Sequence, residues 1–197
     1  MMRRALLLTL TFTCTAVPAA EAATSASKRS QSAATGGQAY GEPNPATVQR
    51  VAGAKAKLLP NGLAAAPESA PESVKQMVSA ANEIIGRPYQ YGGGHDDEWG
   101  ANDRGYDCSG TVSYALHGAG DEILDSPLDS SSFMKWGEAG IGDWVTVYTN
   151  PGHAFVVIAG LRLDTSASGD PSGNKGPRWR PALRSTRGFR ARHPENL

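Results

Sequence analysis

The chain has 197 residues, of which 40% are hydrophobic, and its 19 basic and 19 acidic side chains balance to a formal net charge of zero. With no net charge, no global field draws it toward nucleic acid or an acidic membrane surface, so neither is expected as a partner. Two cysteines and no H-x-x-x-H spacing leave no paired-ligand metal site, and no phosphate-cradling motif occurs, so neither metal nor cofactor is expected.

The first element is a leader. Arg3 and Arg4 precede the apolar run "ALLLTLTFTCTAV", and "AAEAATS" follows it. Charge, a short apolar core and a small-residue cleavage site describe a secretory signal peptide over residues 1–22, with Ala20-Glu21-Ala22 at the cut. Cys14 lies in the apolar core and leaves with it; Thr13 and Thr11 before it argue against a lipid-attachment box. No second apolar run is long enough to span a bilayer, so no stable membrane insertion is expected. The chain is therefore expected to be exported.

Residues 23–70 are rich in Ala, Ser, Gly and Pro, with few large apolar side chains to offset the entropy of ordering, and are expected to be a flexible tether. "VQRVAGAKAKLL" within it reads as a short helix stopped by Pro60-Asn61-Gly62. The compact domain is expected over residues 71–197, a common size for one domain.

That domain opens with "APESVKQMVSAANEIIG", where Val74, Met77, Val78, Ala81, Ile84 and Ile85 recur at helical spacing. Ser69 or Ser73 is placed to cap it, and Gly86 ends it. A long glycine-rich loop, "RPYQYGGGHDDEWGANDRGYD", follows. The next helix is predicted from about Asp107 to His117, ended by Gly118. After a polar connection the period changes, and "DWVTVY", "HAFVVIA" and "LRLDTS" predict an antiparallel meander. Helices followed by strands argue for an α+β fold. The basic, aromatic stretch "GPRWRPALRSTRGFRARHPENL" has no clear period.

Cys108 becomes the only cysteine of the exported chain. Secreted domains usually pair their cysteines, so a single one is either a buried small hydrophobe or a reactive thiol. Its neighbours favour reactivity. The thiol opens a predicted helix, with Asp107 or Ser109 able to cap, and the positive helix end favours the thiolate. A thiolate nucleophile needs a base, and histidine suits neutral pH. Of the four histidines, His117 ends the cysteine helix, His193 lies beside Pro194, and His95 sits in an acidic loop that reads equally as a solvated turn. His153 follows Pro151-Gly152 and opens a strand, where a rigid scaffold can present a base. If the hairpin turns at Ala159-Gly160, the returning strand brings Asp164 or Thr165 beside His153. Asp164 is the stronger candidate, because a carboxylate both accepts the imidazole N–H and stabilises the imidazolium.

Three blocks in order, Pro88-Tyr89-Gln90-Tyr91-Gly92-Gly93, Asp107-Cys108-Ser109-Gly110 and Gly152-His153, resemble the NlpC-type family of secreted cell-wall cysteine peptidases. The resemblance runs from about Val74 to Ser166. It implies a papain-like α+β fold, with the cysteine helix packed on an antiparallel sheet, and hydrolysis of amide bonds in peptidoglycan stem peptides; a monomer is expected. By position, Cys108 is then the nucleophile and His153 the general base. Tyr89 contacts the thiol region, Asp107 and Ser109 help hold the peptide, and the Cys108 N–H serves the oxyanion. Two departures are visible. Asp164 or Thr165 stands where the family often has His, Asn or Gln, and Ile141-Gly142-Asp143-Trp144 replaces the usual Pro-Gly-Asp-Leu. A non-catalytic wall-binding protein of the same fold, or a thiol-dependent amidase or acyltransferase, are the alternative readings.

Overall fold

The computed structural model describes residues 48–96, 99, 103–181 and 183–197. The signal peptide expected over 1–22, Cys14 with it, and the tether over 23–47 lie outside the described residues. The architecture is α+β: two short sheets' worth of pairing, one three-stranded and one six-stranded, with helices between them.

Residues 48–70 correct the expectation of a flexible tether and of a helix over 48–59. They form β1 (Arg50–Val51), β2 (Lys57–Leu58) and β3 (Ala64–Pro67), in the order β1-β3-β2. Gly53 at φ +96° breaks any helical path. Ala64, Ala65 and Ala66 are fully buried, and their strand packs against the following helix. Asn82 of that helix clasps the Ala64 backbone from both sides: its Oδ1 accepts from Ala64 N and its Nδ2 donates to Ala64 O, each at 2.9 Å.

Helix α1 (Glu72–Ile84) buries the stripe predicted for it, Val74, Met77, Val78, Ala81 and Ile84. Its start differs from expectation. Pro71 occupies the N-cap with no side-chain bond, and Ser73 lies within the helix. The fixed φ of proline preorganises the first turn without a cap. Helix α2 (Cys108–His117) follows the expected bounds, with Asp107 at the N-cap and Gly118 at the C-cap. A Cβ on Gly118 would lie 2.3 Å from the Ala80 Cβ, so the two helices approach at a pair of minimal side chains. A single turn, α3 (Ser130–Phe133), capped by Asp129, interrupts the polar connection.

The large sheet has the order β4-β9-β5-β6-β7-β8, with every pairing antiparallel. The predicted meander is β5 (Val145–Asn150), β6 (His153–Ile158) and β7 (Leu161–Asp164). The turn after β6 is at Ala159 and Gly160, with φ +48° and +80°, the pair of positive values that a tight hairpin matching strand twist requires. The stretch without period supplies β8 (Arg178–Arg180) and β9 (Arg190–His193), the latter inserted between β5 and the short β4 (Glu138–Ala139). Side chains of Val145, Val147, Ala154, Val156, Ile158 and Leu163 share one sheet face and pack with α1 and α2 in a single core. By strand alternation Thr146, Tyr148, His153, Phe155, Val157, Arg162 and Asp164 belong to the other face.

Candidate active site

The first turn of α2 is fixed by its own cap. Asp107 has extended backbone, and its Oδ1 accepts from Gly110 N at 2.8 Å, satisfying one of the N–H groups a helix start leaves unpaired. Its Oδ2 accepts from Gly92 N at 3.1 Å, and its own N–H donates to Gly93 O at 3.0 Å. The glycine-rich loop is thereby stitched to the helix. Contact is so close that a Cβ on Gly110 would lie 2.2 Å from Gly93 O, and Gly94 sits at φ +83° against the same residue. These glycines let a loop backbone lie directly beside the cysteine.

Cys108 is therefore the first residue of α2, and it is a free thiol of intermediate burial. It faces the start of β6. Burial pushes the thiol up, but hydrogen bonds from the His153 ring and from the Ala154 N–H outweigh this and hold it below the ordinary thiol range. His153 Nε2 lies 2.9 Å from Asp164 Oδ1, which leaves Nδ1 for the sulfur. Burial would lower the imidazole, yet the bonds to Asp164 and to Cys108 prevail and raise it to about 9. Each group is the other's hydrogen-bond partner, and both shifts, thiol down and imidazole up, favour the thiolate–imidazolium form of the pair.

Asp164 and Thr165 are both buried, and the register decides between them. Phe155 and Asp164 are opposite one another on β6 and β7, so Asp164 shares the face of Phe155 and His153, while Thr165 points the other way. The Asp164 carboxylate is fully buried and crowded with donors. Oδ1 also accepts from Ser166 N at 2.8 Å; Oδ2 lies 3.3 Å from Arg184 Nη1 and 3.7 Å from Arg162 Nε. A cavity of about 220 Å³, lined among others by Trp144, Tyr148, Phe155 and Arg184, opens on this same sheet face.

The three residues expected to bind substrate lie around the thiol with different freedom. Tyr89 is bridged by its backbone to Tyr106 and keeps 45% of its surface exposed. Its phenol is raised, first by burial and then by the charges of Cys108 and Asp107, which places it near both and keeps it a neutral donor. Asp107 and Ser109 are buried and already bonded to each other, Ser109 Oγ donating to Asp107 Oδ1 at 3.1 Å.

His95 is the residue whose place sequence reasoning missed. It is not a solvated turn residue. Its Nε2 lies 3.0 Å from Asp107 Oδ1 and 3.4 Å from Ser109 Oγ. The Asp107 bond raises the imidazole against the opposing effect of burial, and Asp107 in turn is held below the usual carboxylate range although burial pushes it up. Only the proximity of His95 to an acidic loop hinted at this. His117 ends α2 as expected, 3.4 Å from Asp121, and stacks on Trp99. His193 lies on β9 with its Nδ1 near Pro194 O.

Chemically, the arrangement is a nucleophile at a helix N-terminus, an imidazole between it and a buried carboxylate, and the N–H groups of the helix start close to the sulfur. Among the described residues no group of three or more His, Cys, Asp or Glu could hold a metal ion, and no helix is long and apolar enough to cross a membrane. No model of a known protein family matches the chain, and no curated protein is significantly similar to it.

Proposed function

We propose that this protein is an exported cysteine peptidase of the NlpC type, with a papain-like catalytic domain, that hydrolyses amide bonds in peptidoglycan stem peptides. The observation that carries the reading is the line Cys108–His153–Asp164, in which a lowered thiol, a raised imidazole and a buried carboxylate meet in hydrogen-bonding order. The family resemblance of the three sequence blocks supplies the substrate class. The protein works as a monomer in the cell wall or periplasm, without a cofactor.

In this reading the Cys108 thiolate attacks the scissile carbonyl carbon. The negative charge that develops on the carbonyl oxygen is met by the Cys108 N–H and the positive end of α2. His153, already protonated, gives its Nδ1 proton to the departing amine as the C–N bond breaks, leaving a thioester on Cys108. Neutral His153 then takes a proton from water, which attacks the thioester and releases the acid product and the thiolate. Asp164 holds the ring by Nε2 throughout and stabilises its charged form. Tyr89, Asp107 and Ser109 border the acyl side of the cleft and hold the peptide there.

The test is digestion of muropeptides by the chain from residue 23 to residue 197, with products identified by mass. The expected products are peptides cleaved with the gain of one water, absent with Cys108→Ala. Cleavage that persists in Cys108→Ala, or an unchanged muropeptide profile with the intact protein, overturns the reading. A product carrying a transferred amine in place of water would mark an acyltransferase instead.

A further inference from the structure

The basic stretch between β8 and β9 has no role in the chemistry described so far, yet it lies across the His153–Asp164 pair. Arg184 reaches Asp164 Oδ2 with Nη1 at 3.3 Å, on the carboxylate oxygen opposite the one that holds His153. Its guanidinium lies beside the paired rings of Phe155 and Phe189, 5.3 Å from the centroid of each, the two centroids being 5.2 Å apart. Phe189, from the same stretch, also stands edge-on to the His153 ring at 6.2 Å. One segment thus touches both members of the pair, and contact with the two rings holds its charge in place.

We propose that Arg184 is a positioning residue of the active site: by sharing the Asp164 carboxylate it limits how strongly that carboxylate holds the proton on His153. This deepens the peptidase reading and rests on it for its catalytic meaning. The physical argument concerns a division of charge. His153 must be charged to keep the thiolate, but it must also surrender that proton to a leaving amine. An imidazolium bound to an unshared buried carboxylate is a poor acid. A second cation on the far oxygen draws off part of the negative charge and restores acidity.

The other charged groups facing the pair do not replace Arg184. Cys108 comes from α2 as its anionic partner. Arg162 of β7 stands 3.7 Å from Asp164 Oδ2 without a hydrogen bond, its Nε and Nη1 unpaired. Arg180 of β8 donates Nε to the Asp164 backbone carbonyl, and its charge is matched by Asp170. With Arg184 removed, Ser166 N and His153 still hold Oδ1 in place. The loss of charge therefore outweighs any loss of orientation. Because Arg184 also lines the cavity, a shorter or neutral side chain opens space there without forcing the core to collapse.

The test is a titration of the His153 ring by 15N NMR on the full chain, assigned with His153→Asn, in Arg184→Met, Arg184→Gln and Arg184→Lys. Removal of the charge by Met or Gln is expected to move the His153 titration upward from about 9 by roughly half a pH unit or more, and Lys to leave it near the wild type. Peptide hydrolysis is expected to show kcat reduced about twofold to fivefold in the Met and Gln variants, with KM unchanged. Should Met disturb folding, Gln, which keeps a donor for Oδ2, decides the matter. An unchanged or downward titration in the neutral variants, or Lys shifting as far as Met, overturns the proposal and reduces Arg184 to packing. If the wild type cleaves no peptide, the peptidase reading falls while the titration still tests Arg184.

Discussion

At the scale of single residues, the site depends on which proton sits where. The thiol is lowered and the imidazole raised because each is the other's hydrogen-bond partner, and Asp164 adds a buried negative charge on the far side of the ring. Asp164→Asn removes that charge but keeps a hydrogen-bond acceptor. The His153 titration is then expected to fall from about 9, and the Cys108 thiol to rise toward its ordinary range. Alkylation of Cys108 by iodoacetamide near neutral pH should slow accordingly, and amide hydrolysis should drop by roughly ten-fold or more. The alkaline limb of the rate profile should move to lower pH, opposite in sign to the Arg184→Met effect. Thr165→Val should leave both rates near wild type, since it is Asp164, the last residue of β7, that bonds His153. Equal alkylation in wild type and Asp164→Asn would mean that the carboxylate does not stabilise the ion pair. Strand alternation narrowed the orienting residue to one of Asp164 and Thr165, and carboxylate chemistry favoured Asp164, but the register that decides between them was not legible in the sequence. Nor was the place of His95, since a loop has no period from which to project a side chain onto Asp107.

At the scale of elements, the cleft is shaped by glycines that allow backbone to touch backbone. The loop residues Gly93 and Gly94 press on the first turn of α2 at Gly110, where a Cβ would lie 2.2 Å from a carbonyl oxygen of the loop. Gly110→Ala must therefore displace the loop or the helix start. The expected cost is about 1–3 kcal/mol in stability, as for other overpacked sites. The Asp107 bonds to Gly92 and Gly110 should be disturbed with it, so His95 should titrate closer to its ordinary value. A denaturant midpoint unchanged from wild type would show that the loop yields freely. The predicted elements that proved right, α1, α2 and the β5–β7 meander, are those with a sustained period and clear stops. The small sheet of residues 48–67 escaped notice because its strands are two to four residues long and its buried face is alanine. Alanine carries little hydrophobic signal, and its burial depends on how closely α1 approaches, which no local window contains.

At the scale of the whole molecule, the second face of the large sheet combines aromatic side chains such as Tyr148 and Phe155 with buried arginines. This is why the stretch from β8 onward resisted a pattern: arginine inside a strand contradicts the alternation that marks one. Arg162 and Arg180 are among the largest fully buried side chains of the protein. Arg180 ties the connection between β7 and β8 to the sheet, donating to the carbonyls of Asp164, Asn174 and Gly176 and pairing with Asp170. Burying a guanidinium is worthwhile only if its donors are satisfied, and all three nitrogens of Arg180 have a partner. Arg180→Met leaves Asp170 and several carbonyls without their partner, so it is expected to destabilise the fold by about 3–5 kcal/mol. The pH dependence separates the ion pair from simple packing. The Arg180 hydrogen bond depresses Asp170 to about 2, so its contribution is present above the unfolded-state value and is lost as pH falls through about 2. Wild type and Arg180→Met should therefore differ most in urea midpoint above roughly pH 4 and draw together as the pH approaches about 2. A gap in midpoint that stays constant across that range would mean that the arginine acts through its bulk and its carbonyl contacts alone, with no contribution from the charge of Asp170.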